Sequence, residues 1–143
     1  MIKGLLTFFI PLLYFLPLII IYKDFTYSNQ ILFWQITGLI FTYLGIFLWV
    51  CSFINLGTRS FAVLPKAKVL QTQGIYKYFR HPLYMGIIFV LFGLSLAVNS
   101  LLGLIYTIFL IIPLNIFRAK KEEEILFGNF GQEYLNYKSK TLF

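Results

Sequence analysis

A single apolar run of 35 residues, Leu83 to Phe117, constrains the fold of this chain more than any other feature. One straight helix of that length would be about 52 Å long, far more than the roughly 30 Å of hydrocarbon in a bilayer. The run must therefore fold back on itself, and Asn99-Ser100 is the polar pair within it where a turn can form. The sequence predicts a tight helical hairpin with spans at about 83–98 and 101–117.

Two further apolar runs, Gly4 to Tyr22 and Ile31 to Leu56, are each long enough to cross a bilayer. A signal peptide is the alternative for the first run, but the run exceeds the usual apolar region of about 7–15 residues and no small-residue cleavage site follows it. Hydrophobic residues make up 59% of the chain and charged residues 12%, against roughly 45–50% and about 25% in soluble domains. We therefore predict one all-α integral-membrane domain over residues 1–143, with spans at about 4–22 and 31–56 besides the two of the hairpin.

The basic residues indicate how the four predicted helices are oriented. Eleven of the twelve Lys and Arg residues fall at Lys3, in the polar segment 57–82 or in the tail after Phe117, and only Lys23 falls on the other side. Because Lys and Arg are enriched in cytoplasmic loops, both termini and an interfacial tail are predicted to be cytoplasmic. This bias also accounts for the net charge of +7, so the charge does not indicate nucleic-acid binding. Phe-, Ile- and Lys-rich usage without an N-x-[ST] site favours a bacterial inner membrane over the endoplasmic reticulum.

The reactive residue types exclude several kinds of site. One cysteine, Cys51, cannot form an internal disulfide, and a lone His81 cannot build a Cys/His zinc cluster, so no metal site is predicted. No G-x-G-x-x-G motif follows a predicted strand, which excludes a soluble Rossmann-type cofactor domain. Charged residues are nearly absent from the apolar runs, which argues against an ion pump or a proton relay.

Polar chemistry concentrates in two stretches at the cytoplasmic ends of the predicted hairpin, at 73–86 and at 118–134. If the third and fourth spans are antiparallel, His81 and Glu122 emerge from the hairpin side by side. On a continuous helix Glu122 shares one face with Arg118, and a carboxylate on an apolar face needs a partner. Both stretches also have explanations without a functional site. Arg80-His81-Pro82 could be a basic flank with a proline at the first helical turn, and the glutamates could form a solvated face.

Glycines mark two kinds of position. The pairs Gly38/Gly45 and Gly86/Gly93 each recur at seven residues, which favours close packing of helices, although Gly86 could instead leave room for a ligand. Gly128 and Gly131 are the points at which a helix after Phe117 is expected to break.

Two motifs flank the predicted hairpin. The first reads Leu70-x-Thr72-x-Gly74-Ile75-Tyr76 and then Arg80-His81-Pro82-x-Tyr84-x-Gly86; the second reads Arg118-x-x-x-Glu122-Glu123-x-x-Leu126-x-x-x-Phe130-Gly131-x-x-Tyr134-x-x-Tyr137. Together they resemble the isoprenylcysteine carboxyl methyltransferase family, and the phospholipid N-methyltransferases share the Arg-His-Pro and Glu-Glu elements. The resemblance covers about residues 56–137.

The resemblance implies an integral-membrane methyltransferase that uses S-adenosylmethionine and methylates a lipophilic acceptor in contact with membrane lipids. Carried over by motif position, the cofactor-binding residues are Gly74, Tyr76, His81, Tyr84, Gly86, Glu122 and Glu123, and the catalytic residues are Arg80 and Arg118. Carboxylates suit the ammonium and ribose hydroxyls of that cofactor, tyrosines its adenine or sulfonium, and an arginine an acceptor carboxylate. The acceptor stays open between a prenylated cysteine carboxylate, a phospholipid amine and another lipid acid, and the oligomeric state is open too.

Two other functions compete with methyl transfer. An NADPH-dependent double-bond reductase is the rival enzyme, because sterol-reductase-type membrane proteins have a related C-terminal hairpin, although this chain is short for that wider site. A small membrane assembly protein is the rival without catalysis, and its Arg-His-Pro and glutamate groups would be topological flanks. Binding of S-adenosylhomocysteine or of NADPH discriminates all three.

Overall fold

The computed structural model describes residues 2–27, 32–56 and 70–143, and within them the protein is all-helical apart from turns. Six α-helices follow in chain order: α1 (Ile2–Tyr27), α2 (Leu32–Leu56), α3 (Pro82–Ala97), α4 (Leu101–Tyr106), α5 (Ile112–Phe130) and α6 (Gln132–Lys138). A 3-10 turn (Gly74–Lys77) precedes α3, and a π-helical turn (Thr107–Ile111) joins α4 to α5. Most of the predicted cytoplasmic loop, with its basic residues Arg59, Lys66 and Lys68, lies outside the described residues.

The hairpin predicted from the long apolar run is present, and it turns at Asn99-Ser100. α3 ends at Ala97, and Asn99 has a left-handed φ of 54°, a conformation that asparagine tolerates better than most residues. Ser100 then caps α4, because its hydroxyl accepts a hydrogen bond of 3.0 Å from the Gly103 amide. The two polar residues therefore supply both the backbone reversal and the helix cap.

Helical backbone runs without a break from Leu101 to Phe130, and we call this segment the rod. The π-helical turn lies just before Pro113, which has no backbone N–H to donate to the preceding turn. The predicted span ends at Phe117, but the helix continues, because the Lys, Glu and Leu residues that follow are good helix formers. The helix ends at Gly131, which has a φ of 49°, whereas the break expected at Gly128 is absent.

The bounds of α1 correct one prediction. α2 and α3 begin and end within one residue of the predicted spans, but α1 continues to Tyr27. Lys23 and Asp24 are therefore helical and not part of a loop. The Asp24 carboxylate accepts a hydrogen bond from the Ser100 hydroxyl, which holds this end of α1 at the hairpin turn.

Among the described residues, two helices are long and apolar enough to cross a membrane: Leu32–Leu56 and Leu101–Phe130, each with an 18-residue stretch whose mean hydropathy is 2.0. α3 is also apolar but shorter, with 16 residues. Large apolar side chains such as Phe47 on α2 and Phe109 on the rod point outward. Such a surface is suited to lipid rather than to water.

α2 and α3 pack backbone to backbone through small residues. A Cβ atom added at Gly86 would lie 2.8 Å from a backbone nitrogen of α2, and one added at Gly93 would lie 2.5 Å from another. Gly38 and Gly45 are buried in the same interface. No side chain fits between the helices at these points, so the seven-residue glycine spacing reflects close packing, as predicted.

α1 runs antiparallel to the rod, and polar side chains join the two at three levels. Asp24 meets Ser100 at the hairpin turn, and the Tyr106 hydroxyl donates to the Leu13 carbonyl at 3.1 Å. The Tyr14 hydroxyl donates to Asn115, near the end of the apolar part of the rod. This pairing places the part of α1 around Tyr14 near the start of α3 and the end of the apolar part of the rod.

Candidate functional site

His81 lies between two glutamates where α3 begins. It is 4% exposed, its Nδ1 lies 3.6 Å from Glu122 Oε2, and its Nε2 lies 3.4 Å from Glu123 Oε1. Within the described ranges, Nε2 is buried with no hydrogen bond aligned to it. The predicted approach of His81 and Glu122 is confirmed, and it depends on the helix continuing beyond the apolar run.

Glu123 is the most firmly held of the three adjacent glutamates. Arg80 Nε donates to its Oε1 at 2.9 Å, and Lys138 Nζ donates to its Oε2 at 2.6 Å. Burial alone would raise the pKa of this carboxyl, but the hydrogen bond from Lys138 and the positive charge of Arg80 hold its pKa below the ordinary value. The negative charge of Glu123 is therefore already compensated inside the protein.

Glu122 and Glu124 have different surroundings. The Glu122 side chain is 27% exposed, and in the described part of the chain no Arg or Lys nitrogen lies within 4.0 Å of its carboxylate. The Glu124 side chain is 69% exposed and pairs with Lys121 at 3.4 Å. Glu122 is thus the carboxylate beside His81 that keeps room for further donors, while Glu124 faces outward.

Arg80 holds the C-terminal segment against the start of α3. Its Nη1 donates to the carbonyls of Lys138 at 3.2 Å and Thr141 at 2.8 Å, and its backbone N–H donates to the Leu142 carbonyl at 2.9 Å. We call residues 138–143 the strap. These bonds and the bond to Glu123 account for Nε and Nη1 of Arg80, so its geometry is that of an anchor for the strap, and its catalytic role stays a prediction.

Four tyrosines surround the carboxylates: Tyr76, Tyr84, Tyr134 and Tyr137. The Tyr84 ring stacks on His81 with centroids 5.6 Å apart, and the Tyr137 hydroxyl donates to the Tyr76 carbonyl at 2.7 Å. Burial raises the pKa of the Tyr76 and Tyr134 phenols and raises the pKa of Tyr137 to about 12. The phenols outside the apolar helices are therefore neutral and act as hydrogen-bonding and apolar walls.

Two predicted cofactor-binding glycines have backbone explanations. Gly74 has a φ of 62°, and a Cβ atom there would overlap the Asn55 side chain. Gly86 faces α2, as described above. The structure accounts for both glycines without a ligand, and their contact with a cofactor stays a prediction.

Arg118 lies where the apolar part of the rod ends, between two tyrosine rings. Its guanidinium carbon is 5.1 Å from the centre of the Tyr84 ring and 5.8 Å from that of Tyr14, and its Nη1 donates to the Tyr14 hydroxyl at 3.0 Å. Among the described residues no carboxylate lies within 4.0 Å of it. Arg118 is therefore a half-buried cation with donors available for an anion.

Sequence reasoning missed Tyr14 and Asn115. The Tyr14 hydroxyl donates to Asn115 Oδ1 at 2.9 Å, and Asn115 is fully buried. Asn115 could have been found, because an amide inside an apolar run usually faces a neighbouring helix and pairs there. Nothing local distinguishes Tyr14 from the nine other tyrosines of the chain.

Comparison with known proteins identifies the family. The model of the phospholipid methyltransferase family matches residues 33–133, which is most of the chain and includes α2, the hairpin and the glutamates. The chain belongs to the phospholipid methyltransferase family. This confirms the family resemblance seen in the two motifs. Together with the two long apolar helices, it makes this family member a membrane protein.

This phospholipid methyltransferase family member is also similar to proteins named protein-S-isoprenylcysteine O-methyltransferase. Identity is 30% over 124 residues to the Saccharomyces cerevisiae protein, covering 83% of this chain and 52% of that one. It is 30% over 132 residues to the Homo sapiens protein, covering 82% and 45%, and 31% over 128 residues to the Xenopus laevis protein, covering 85% and 42%. The chain spans about half the length of the curated relatives that it matches. No solved structure matches it significantly.

Proposed function

We propose that this chain transfers a methyl group from S-adenosylmethionine to a lipophilic acceptor at the cytoplasmic membrane interface. Family membership and the names of the relatives support methyl transfer. The observation that carries the proposal is the position of Tyr84, whose ring stacks on the His81 ring beside the glutamates and also lies 5.1 Å from the Arg118 guanidinium carbon. One aromatic ring thus contacts both an acidic site, which accepts hydrogen bonds, and a cationic one.

The acidic side has the chemistry that S-adenosylmethionine requires. That cofactor supplies an electrophilic methyl group on a sulfonium, and it carries an α-ammonium and ribose hydroxyls that need acceptors. Glu122 has acceptor capacity left, and His81 Nε2 is a buried polar atom without a hydrogen bond in the described residues. Tyr76 and Tyr84 are buried beside the carboxylates, where their rings would line the adenine or the sulfonium. Glu122, Glu123, His81 and these tyrosines are the residues that would hold the cofactor.

The cationic side suits an anionic acceptor. Arg118 can bind a carboxylate through donors that the Tyr14 hydroxyl does not use. A carboxylate that is already anionic needs no general base, so positioning can supply much of the acceleration, up to roughly 7–11 kcal/mol. An amine acceptor would have to arrive unprotonated, close to the charge of Arg118. We therefore rank a lipophilic carboxylate ahead of a lipid amine.

The location of the site fits the proposed topology. We propose four spans with both termini in the cytoplasm, because the charge bias places the ends of α3 and the rod on that side. A water-soluble cofactor would then reach the glutamates from the cytosol. The acceptor would reach Arg118 from the lipid.

Binding measurements with the purified protein test this function. Calorimetric titration with S-adenosylhomocysteine should give saturable binding, and titration with NADPH should give none. A lipid extract incubated with the protein and radiolabelled S-adenosylmethionine should yield a labelled lipid, and base-labile label would identify a methyl ester. Binding of NADPH alone would support a reductase, and binding of neither ligand would support a non-enzymatic membrane protein.

A further inference from the structure

We propose that Tyr14 and Asn115 are positioning residues that hold the Arg118 guanidinium in place for the acceptor, so that α1 forms part of the active site. This inference rests on the proposed function. The region that matches the family begins at residue 33, so the match does not include α1. The hydrogen bonds that connect these side chains run in one direction.

Asn115 is the fixed end of the chain of hydrogen bonds. Its Nδ2 donates to the Ile111 carbonyl at 2.8 Å, which leaves Oδ1 as the atom that faces α1. The opposite orientation of the amide would bring Oδ1 against the Ile111 carbonyl, and two acceptors cannot bond. Because Asn115 is fully buried, no water competes for its side chain.

The fixed amide sets the direction of the Tyr14 hydroxyl. Its single proton goes to Asn115 Oδ1, so the lone pairs of the phenolic oxygen are left for Arg118 Nη1, at 3.0 Å. The chain of hydrogen bonds therefore runs one way, from Arg118 through Tyr14 to Asn115. A phenol accepts this bond without neutralising the guanidinium, so Arg118 is oriented and keeps its full charge.

Attachment of α1 to the rod does not require this hydrogen bond. The Tyr106 hydroxyl donates to the carbonyl of Leu13 at 3.1 Å, and Asp24 bonds to Ser100 at the far end of the helix. Tyr106 therefore joins the same two helices by the same kind of phenolic bond, but it bonds to backbone and not to Arg118. It provides a matched control for Tyr14.

The test compares a charged acceptor probe with its neutral analogue. N-acetyl-S-farnesylcysteine carries the carboxylate of the substrate class named for the relatives, and its carboxamide has the same shape without the charge. Affinities of both probes, and of S-adenosylhomocysteine, are measured for wild type, Tyr14→Phe, Asn115→Leu and Tyr106→Phe. Wild type should prefer the carboxylate, and Tyr14→Phe and Asn115→Leu should each reduce this preference about tenfold, as expected when a hydrogen bond to a charged group is lost.

The control variant Tyr106→Phe should keep the wild-type preference for the carboxylate probe. The affinity for S-adenosylhomocysteine should stay unchanged in both Tyr14→Phe and Tyr106→Phe. Equal loss of preference in Tyr14→Phe and Tyr106→Phe would show a general effect of loosening α1, and an unchanged preference in Tyr14→Phe would show no positioning role; either result overturns the inference alone. A wild type that binds S-adenosylhomocysteine but does not distinguish the probes overturns the assignment of Arg118 and this inference with it. A wild type that does not bind S-adenosylhomocysteine overturns the proposed function as well.

Discussion

Arg80 Nε donates to Glu123 Oε1 at 2.9 Å, and this pair joins residues 43 positions apart in the sequence. The same guanidinium bonds to carbonyls of the strap, so one side chain holds the start of α3, the end of the rod and the C-terminal segment together. Loss of Arg80 would leave the half-buried Glu123 with one cation instead of two.

We expect Arg80→Gln to destabilise the protein by about 1.5–3 kcal/mol, the range for hydrogen bonds to charged groups. Thermal unfolding in detergent should show a lower Tm, and limited proteolysis should cut near the strap. Lys121→Gln is the matched control, because it removes an exposed pair with Glu124 that contributes little. Equal Tm values for the two variants would contradict the anchoring role of Arg80.

The three adjacent glutamates should differ in their effect on cofactor affinity. Glu122→Gln and Glu123→Gln should each weaken S-adenosylhomocysteine binding by at least tenfold, about 1.4 kcal/mol, because both carboxylates face His81. Glu124→Gln should have little effect, since its carboxylate is exposed. Dissociation constants of the three variants decide the matter, and a loss confined to Glu124→Gln would show that the cofactor lies elsewhere.

The stabilising effect of Glu123 should depend on pH. Its native pKa is lowered, so ionised Glu123 stabilises the folded state fully above the ordinary value of 4.5, and this contribution disappears as the pH falls through the lower native pKa. The Tm difference between wild type and Glu123→Gln should therefore be constant from pH 7 to about pH 5 and shrink as the pH falls below 4.5. A difference that grows on acidification would reverse the sign of the proposed interaction.

Close packing of α2 on α3 predicts a contrast between two glycines. Gly93→Ala should lower stability strongly, because its Cβ would lie 2.5 Å from a backbone nitrogen of α2 and the helices would have to separate. Gly128→Ala should be neutral or stabilising by up to about 1 kcal/mol, since a Cβ there meets no atom of the described residues within 4 Å and alanine favours the helix. Thermal unfolding of both variants in detergent measures the contrast, and similar Tm values would contradict the close packing of α2 on α3.

Labelling of single cysteines tests the proposed topology. In a Cys51→Ala background, an impermeant thiol reagent applied to whole cells should label Tyr27→Cys and Leu101→Cys, which lie at the end of α1 and at the hairpin turn. Lys68→Cys should react only after the membrane is opened. Labelling of Leu101→Cys from the cytoplasmic side alone would contradict the orientation of the hairpin.

The sequence was sufficient to predict those features that depend on length and local chemistry. The fold-back at Asn99-Ser100 follows from the length of one apolar run, and the bounds of α2 and α3 follow from where their runs end. The meeting of His81 and Glu122 then follows from an antiparallel hairpin with polar residues at both open ends.

Features that depend on distant partners could not be predicted. The ends of α1 and the rod extend beyond their apolar residues, because helical backbone continues wherever charged side chains reach water or a partner. The contacts of Tyr14 with the rod and of Arg80 with the strap join segments more than 50 residues apart, and no local pattern encodes them. Glycine spacing alone also could not tell whether Gly86 faces a helix or a ligand.

The position of Tyr84 has a thermodynamic consequence. Its ring is in contact with His81 and with Arg118, so a ligand that moves the ring at one of the proposed sites changes the surface offered to a ligand at the other. Linkage requires that this influence be reciprocal, with each ligand changing the affinity of the other by the same factor. If both proposed sites bind their ligands, we expect the two ligands to bind cooperatively through this shared ring.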